Sequence, residues 1–317
     1  MFIRPMFRLV KDGTRINFMN GRFAGLIVSA ILSTASIVLF FTPGLTLGID
    51  FKGGIVIEAR TPEPADIAKI RTAIAAQGVR EAGVQRFGEV NSVAIRLDAP
   101  PTEAATQQLV GRVRAALEAA QPGTRLVRTD AVGASVSSEL FHDGMMALGL
   151  SLLMILVYIW FRFEWQFAVG AVVTLVLDLT KAIGFLVLTH LEFDLVMVGA
   201  ILTILGYSTN DKVVVYDRMR ENLRKYKSMP LRELIDLSIN ETLNRTLGTS
   251  MTVFLASLPL ALFGGTSLSA FAWCMLFGIV VGTSSSIFIA APILLFLGEH
   301  RLRRDAVAPE AAKPVKQ

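Results

Sequence analysis

The stretch FDLVMVGAILTILGYSTNDKVVVY, residues 193–216, decides how the chain is read. It is long and apolar enough for a membrane-crossing helix, which takes about 20 mostly apolar residues. Within it, Gly206-Tyr207-Ser208-Thr209-Asn210-Asp211-Lys212 carries an aspartate deep into the apolar run. An ionisable group inside a span costs roughly 2.5–3.5 kcal/mol on insertion scales, so it turns toward the bundle interior and serves ions or substrate. Function is therefore expected to turn on Asp211. Lys212 follows directly, but i,i+1 neighbours do not face each other on a helix, so it is not expected to neutralise Asp211.

Working outward, five further apolar segments are long enough to span: approximately Phe23–Phe41, Met145–Phe161, Phe167–Thr189, Leu243–Phe263 and Leu268–Leu297, the last long enough to leave the bilayer before its end. A composition of 53% hydrophobic and 18% charged residues, with mean hydropathy +0.55, fits a membrane protein. The basic residues explain the net charge of +5 without nucleic acid, because they flank the spans. Arg4, Arg8, Lys11, Arg15 and Arg22 precede the first span and Arg162 follows the second. Arg218, Arg220, Arg224, Lys225, Lys227 and Arg232 follow the fourth, and Arg301, Arg303 and Arg304 the last. Six spans place all of them on one side, so both termini are expected in the cytoplasm. The expected order is a basic N-terminus 1–22, a first span 23–42, an extracytoplasmic domain 43–142, a five-helix bundle 143–298 with a cytoplasmic loop 217–242, and a cytoplasmic tail 299–317. The first span lacks a small-x-small cleavage site and reads as a retained anchor. Cys274 is the single cysteine, so an intrachain disulfide is excluded.

The segment between the first two spans reads as a small α+β domain. Strands are expected at Ile55–Arg60, Gly83–Phe87, Ser92–Leu97 and Arg125–Arg128. Helices are expected at Pro64–Gln77 and Thr102–Ala120, the second capped by Thr102. The order β-α-β-β-α-β fits a ferredoxin-like unit. No His/Cys cluster, phosphate loop or nucleophile constellation occurs in it, which favours binding or movement over catalysis.

Polar residues in the spans fall in stripes. Thr203, Tyr207, Asn210 and Asp211 share one face of the fourth span; Arg245, Gly248, Thr249 and Thr252 share one face of the fifth, beside Thr246. Thr174, Asp178 and Lys181 share one face of the third, where Asp178 and Lys181 can pair at i,i+3. Gly278, Gly282 and Ser286 form a small-xxx-small seam suited to close helix packing. A buried carboxylate beside an arginine can exchange a proton reversibly, since burial opposes its charge and the guanidinium favours it. A membrane potential supplies about 2.3 kcal/mol per charge per 100 mV. With no nucleotide-binding loop in the chain, an ion gradient is the expected energy source. The expected proton relay is Asp211, Arg245, Asn210 and Asp178, with Tyr207, Thr246 and Lys181 in support and no cofactor or metal.

Several motifs together carry a resemblance. They are Gly48-Ile49-Asp50-Phe51-Lys52-Gly53-Gly54, Arg162-Phe163-Glu164-Trp165, Gly206 to Asp211 continuing to Val215-Tyr216-Asp217-Arg218 and Arg220-Glu221-Asn222, Ser238 to Thr246, and Ser284 to Ala290. On these the chain resembles the SecF family of the resistance-nodulation-division superfamily. The resemblance implies a six-span, non-enzymatic subunit that pairs with SecD. It also implies association with the SecYEG translocon, with YajC and with YidC, and assistance to a translocating preprotein using the proton motive force. The family's proton-path residues fall on Asp211 and Arg245. One departure is Leu177-Asp178 where many relatives carry His-Asp, with Lys181 where an apolar residue is usual. Two other readings stay open: a proton-driven exporter of lipids or small molecules, and a translocon scaffold without transport.

Overall fold

The computed structural model describes residues 14–79, 83–86, 89–98, 100 and 102–297. The expected basic cluster at Arg4, Arg8 and Lys11, Phe87 and the expected tail 299–317 lie outside the described residues. A short 3-10 turn, Phe18–Gly21, leads into α1 (Arg22–Phe41), followed by a single turn α2 (Ile49–Lys52). Then come β1 (Gly54–Arg60), α3 (Ile67–Ala76), β2 (Gly83–Arg86), β3 (Ser92–Leu97), α4 (Glu103–Ala120) and β4 (Arg125–Val132). Five long helices follow: α5 (Ala134–Arg162), α6 (Trp165–Thr189), α7 (Leu195–Lys225), α8 (Leu231–Phe263) and α9 (Gly265–Ser285). A π-helical turn, Ser286–Ala290, joins α9 to α10 (Ala291–Leu297). The chain divides into two units, one of helices and one formed by Thr46–Ala147 with Glu192–Val196.

The smaller unit is an antiparallel sheet of order β2-β3-β1-β4. Strand periodicity sends Ile55, Ile57 and Ala59 of β1 and Val93, Ile95 and Leu97 of β3 into one core. Ile70 and Ile74 of α3 and Val113, Ala116 and Leu117 of α4 complete it. Asp66 caps α3 by accepting from the Lys69 amide at 3.1 Å, and Thr102 caps α4 through the Ala105 amide at 3.4 Å. The last strand runs four residues beyond the expected Arg128, because its pairing with β1 continues to Val132 opposite Gly54.

The Gly48–Gly54 motif does structural work in this unit. Gly53 and Gly54 have φ of +74° and +132°, and a Cβ on Gly54 would sit 2.9 Å from the Leu97 carbonyl oxygen. The turn they allow aims Asp50 at the start of α7, where its Oδ2 accepts from the Leu195 amide at 3.1 Å. The Gly48 amide donates to the Phe193 carbonyl at 2.9 Å and the Phe193 amide to that of Thr46 at 2.7 Å. Phe51 packs against Phe141 and Phe193, and Arg96 of β3 pairs with Glu192.

Five described helical segments are long and apolar enough to cross a membrane: Phe18–Phe41, Ala134–Arg162, Trp165–Thr189, Leu231–Phe263 and Leu268–Leu297. The helix around the decisive stretch, α7, falls outside that set, because Asn210-Asp211-Lys212 breaks its apolar run. The loop expected at 217–242 is instead largely helical. Helix α7 continues to Lys225 and α8 begins at Leu231, so the connection is residues 226–230. Ion pairs described below hold these extensions. The seam of small residues on α9 packs as expected: a Cβ on Gly278 would collide with Ile204 of α7, and one on Gly282 would meet Ser208 at 3.1 Å. On α1, Ser29, Ser33 and Ser36 form a buried stripe, with Ser36 directly against Gly184 of α6.

Candidate functional site

The densest polar cluster among the described residues joins α6, α7 and α9. Asp178 on α6 is 2% exposed, and Lys212 on α7 is 1% exposed. Ser208 and Lys212 stand four residues apart, so they share a face of α7. That face meets Asp178, whose Oδ2 accepts from Lys212 Nζ at 2.9 Å, from Ser208 Oγ at 2.7 Å and from Ser285 Oγ of α9 at 2.7 Å. Lys212 Nζ also reaches Ser285 Oγ at 3.3 Å, the Ser208 carbonyl at 3.4 Å and Ser208 Oγ. Lys181 Nζ lies 3.7 Å from the other oxygen, Oδ1, which has no hydrogen bond among the described residues. The expected i,i+3 pair therefore exists, but it is the looser of two. The closer partner is Lys212.

Asp211, one residue earlier on α7, turns about 100° away from Lys212. It is 1% exposed, and its Oδ2 accepts from Thr283 Oγ1 of α9 at 3.4 Å. Thr283 in turn shares a 2.7 Å hydrogen bond with Ser250 of α8. The helix thus presents two carboxylate sites on two faces. Asp178 is neutralised by ammonium groups, while Asp211 is met only by hydroxyls. Among the described residues no cation stands within ion-pair distance of Asp211, and Lys212 and, more weakly, Arg245 act on it only at longer range.

The remaining candidates separate. Arg245 and Asn210 are exposed, as is Thr203. Among the described residues, half-buried Tyr207 has no partner for its hydroxyl, and buried Thr246 has none for its Oγ1. Sequence reasoning missed Lys212, Ser208, Ser285, Thr283 and Ser250. The signal was present for Lys212: a lysine inside a span needs a partner, and Ser208 stands on the same face four residues before it.

Beyond the polar core, motif residues knit the helix ends. Arg162 donates to both oxygens of Asp217 at 2.9 and 2.7 Å, and Arg220 pairs with Glu164 at 3.0 Å. Arg218 bonds Glu241 at 2.7 Å and Glu221 at 2.6 Å, which holds its guanidinium above the usual arginine range. Asn222 donates to Ser238 at 3.0 Å and to Glu241 at 2.7 Å. Tyr216, buried between Phe163 and Phe167, donates to the Ala290 carbonyl in the π turn at 3.2 Å.

Comparison with known proteins places this geometry. Residues 112–300 match the SecD/SecF C-terminal family of protein export membrane proteins, and residues 38–61 match the SecD/SecF GG motif. A protein translocase subunit SecF from Rickettsia felis is 41% identical over 308 residues, covering 97% of this chain and 99% of that one. A counterpart from Cereibacter sphaeroides is 39% identical over 93% of each chain. The crystal structure of SecDF, a translocon-associated membrane protein from Thermus thermophilus, superposes with a TM-score of 0.82 at 32% identity over 93% of this chain. This chain spans 40% of that SecDF chain. The Gly53–Gly54 turn, the α7 polar run and the paired helix ends all lie in the matched regions, and the chain belongs to the SecD/SecF family of protein export membrane proteins.

Proposed function

We propose that the chain is a proton-coupled, SecF-like subunit that assists Sec-dependent protein translocation across the bacterial inner membrane. The SecF-like role in translocation follows from its near full-length similarity to translocase subunits. The proton coupling is our reading of Asp211. One observation carries it: Asp211 is a buried carboxylate with hydroxyl neighbours and, among the described residues, no cation within ion-pair distance, whereas Asp178 is held by Lys212. A carboxylate that no ammonium locks can take up and release a proton as its surroundings change. Arg245 would favour the ionised form and Asn210 and Tyr207 would line the path. Asp178 and Lys181 would set the charge of the neighbouring helix face.

In this reading α7 is the sixth membrane-crossing helix, both termini are cytoplasmic, and the chain is not an enzyme. The antiparallel sheet with its two helices is read as a ferredoxin-like domain, which the strand order β2-β3-β1-β4 supports. SecD is the proposed direct partner. Asn210, Thr203 and Arg245 are polar yet exposed on helices assigned to the membrane, which supports a protein surface covering them. SecYEG, YajC, YidC and the translocating preprotein complete the proposed assembly.

The test is release of a newly exported protein from spheroplasts, wild type against Asp211→Asn, at equal membrane abundance and equal SecD recovery. Slowed release with an intact complex is the expected outcome. Unchanged release would remove Asp211 from the mechanism and favour a scaffold. Normal release with lost lipid or small-molecule efflux would favour an exporter.

A further inference from the structure

A cleft of about 500 Å³ opens where the α5–α6 turn meets the end of α7, lined by Arg162, Asp217, Arg220, Glu221, Arg224 and Lys225. The α7 residues are spaced by three and four, so they form one face of the helix beyond its apolar run. Four cations line the cleft against two carboxylates. Both carboxylates are engaged: Asp217 holds Arg162, and Glu221 is held by Arg218. Arg220 is taken by Glu164. Arg224 and Lys225 are exposed and have no carboxylate within ion-pair distance among the described residues.

The surroundings say what kind of anion reaches this place. Trp160, Phe161 and Trp165 are exposed beside Arg162, at the end of a helix long and apolar enough to cross a membrane. Exposed tryptophans at a helix end mark the level of lipid headgroups. The outward side of α5, with Leu153, Met154 and Val157 exposed, offers an apolar track for acyl chains leading up to the cleft. After the internal pairs are discounted, Arg224 and Lys225 leave two positive charges, which the negative end of the α7 dipole reduces to about one and a half. That balance suits a singly charged phosphodiester better than a polyphosphate.

We propose that this cleft seats the phosphate of an anionic phospholipid, with Arg224 and Lys225 as its principal ligands. The assignment rests on the membrane-spanning reading of α5 and α6 and is independent of proton coupling through Asp211.

The test uses the full chain, delipidated in detergent and mixed with equal amounts of phosphatidylglycerol and phosphatidylcholine, with retained lipid counted by native mass spectrometry. Wild type is expected to retain phosphatidylglycerol in at least about fivefold preference, as about one basic residue's attraction to an anionic lipid implies. Arg224→Gln/Lys225→Gln is expected to fall to parity. Lys52→Gln/Lys69→Gln, which removes the same charge from exposed sites elsewhere, is expected to behave as wild type. Equal preference in all three proteins, or equal loss in both variants, overturns the site. Displacement of phosphatidylglycerol by millimolar inorganic phosphate or glycerol phosphate would show a free-phosphate site and overturn the lipid assignment. Failure of folded wild type to hold either lipid would overturn the membrane reading with it.

Discussion

Two adjacent residues, Asp211 and Lys212, serve different sites because one helical step separates their directions. Lys212 belongs to Asp178, and breaking a buried ion pair by removing one partner costs about 3–5 kcal/mol. The sign of the difference between the two partners is set by Lys181. Lys212→Met leaves Asp178 with Lys181 at 3.7 Å, whereas Asp178→Asn leaves two buried ammonium groups without an anion. Asp178→Asn is therefore expected to lower the melting temperature of the purified protein more than Lys212→Met. Adding Lys212→Met to Asp178→Asn is expected to recover part of the loss. Strict additivity in that double-mutant cycle would argue against the pair. Asp211→Asn removes no ion pair and is expected to leave the free energy of unfolding within about 1 kcal/mol of wild type while slowing export.

Among the elements, close helix approach depends on missing side chains. Gly184 of α6 lies against Ser36 of α1, where even a methyl group would overlap the serine side chain. Gly184→Ala is expected to destabilise by about 1–3 kcal/mol through overpacking, and Ser36→Gly in the same chain is expected to restore part of it, since the Ser36 Cα still stands 2.9 Å from the added methyl. Thermal unfolding of the two variants checks the pairing. A single Gly184→Ala without effect would mean the helices part freely there. At the start of α7, Asp50 acts as a cap from a distant motif. Asp50→Ala is expected to lose about 1 kcal/mol of stability, read most directly as faster amide exchange at Leu195.

The whole molecule turns on whether α7 crosses the membrane. If it does, Glu89 and Lys227 lie on opposite sides. If it does not, the two are on the same side. In a Cys274→Ser background, Glu89→Cys is expected to react with an impermeant maleimide on intact spheroplasts, and Lys227→Cys only after permeabilisation. Cys274 is itself buried, so its replacement should leave the packing little changed. Reaction of both cysteines from outside would remove α7 from the span count and reverse the proposed orientation of everything after it. The interior cluster makes the crossing reading coherent, because α7 carries its charges on faces covered by α6, α8 and α9 rather than outward.

Apolar length, loop charge and strand alternation are local properties, so the sequence by itself determined the helical segments, the small sheet domain and the buried position of Asp178 and Asp211. The four-residue spacing of small residues also placed Gly278 and Gly282 at a packing seam. Pairing across helices is not local. Nothing in the spacing of Asp178, Lys212 and Ser285 tells that three helices bring them within hydrogen-bond reach, nor that Arg245 points outward while Thr283 and Ser250 meet Asp211. The ends of α7 and α8 were obscured for the same reason: their charged turns look like loop until Arg218, Asn222 and Glu241 are seen bonded across the gap. Helix rotation and crossing decide those contacts, and rotation is set by the packing of all faces together rather than by any one segment.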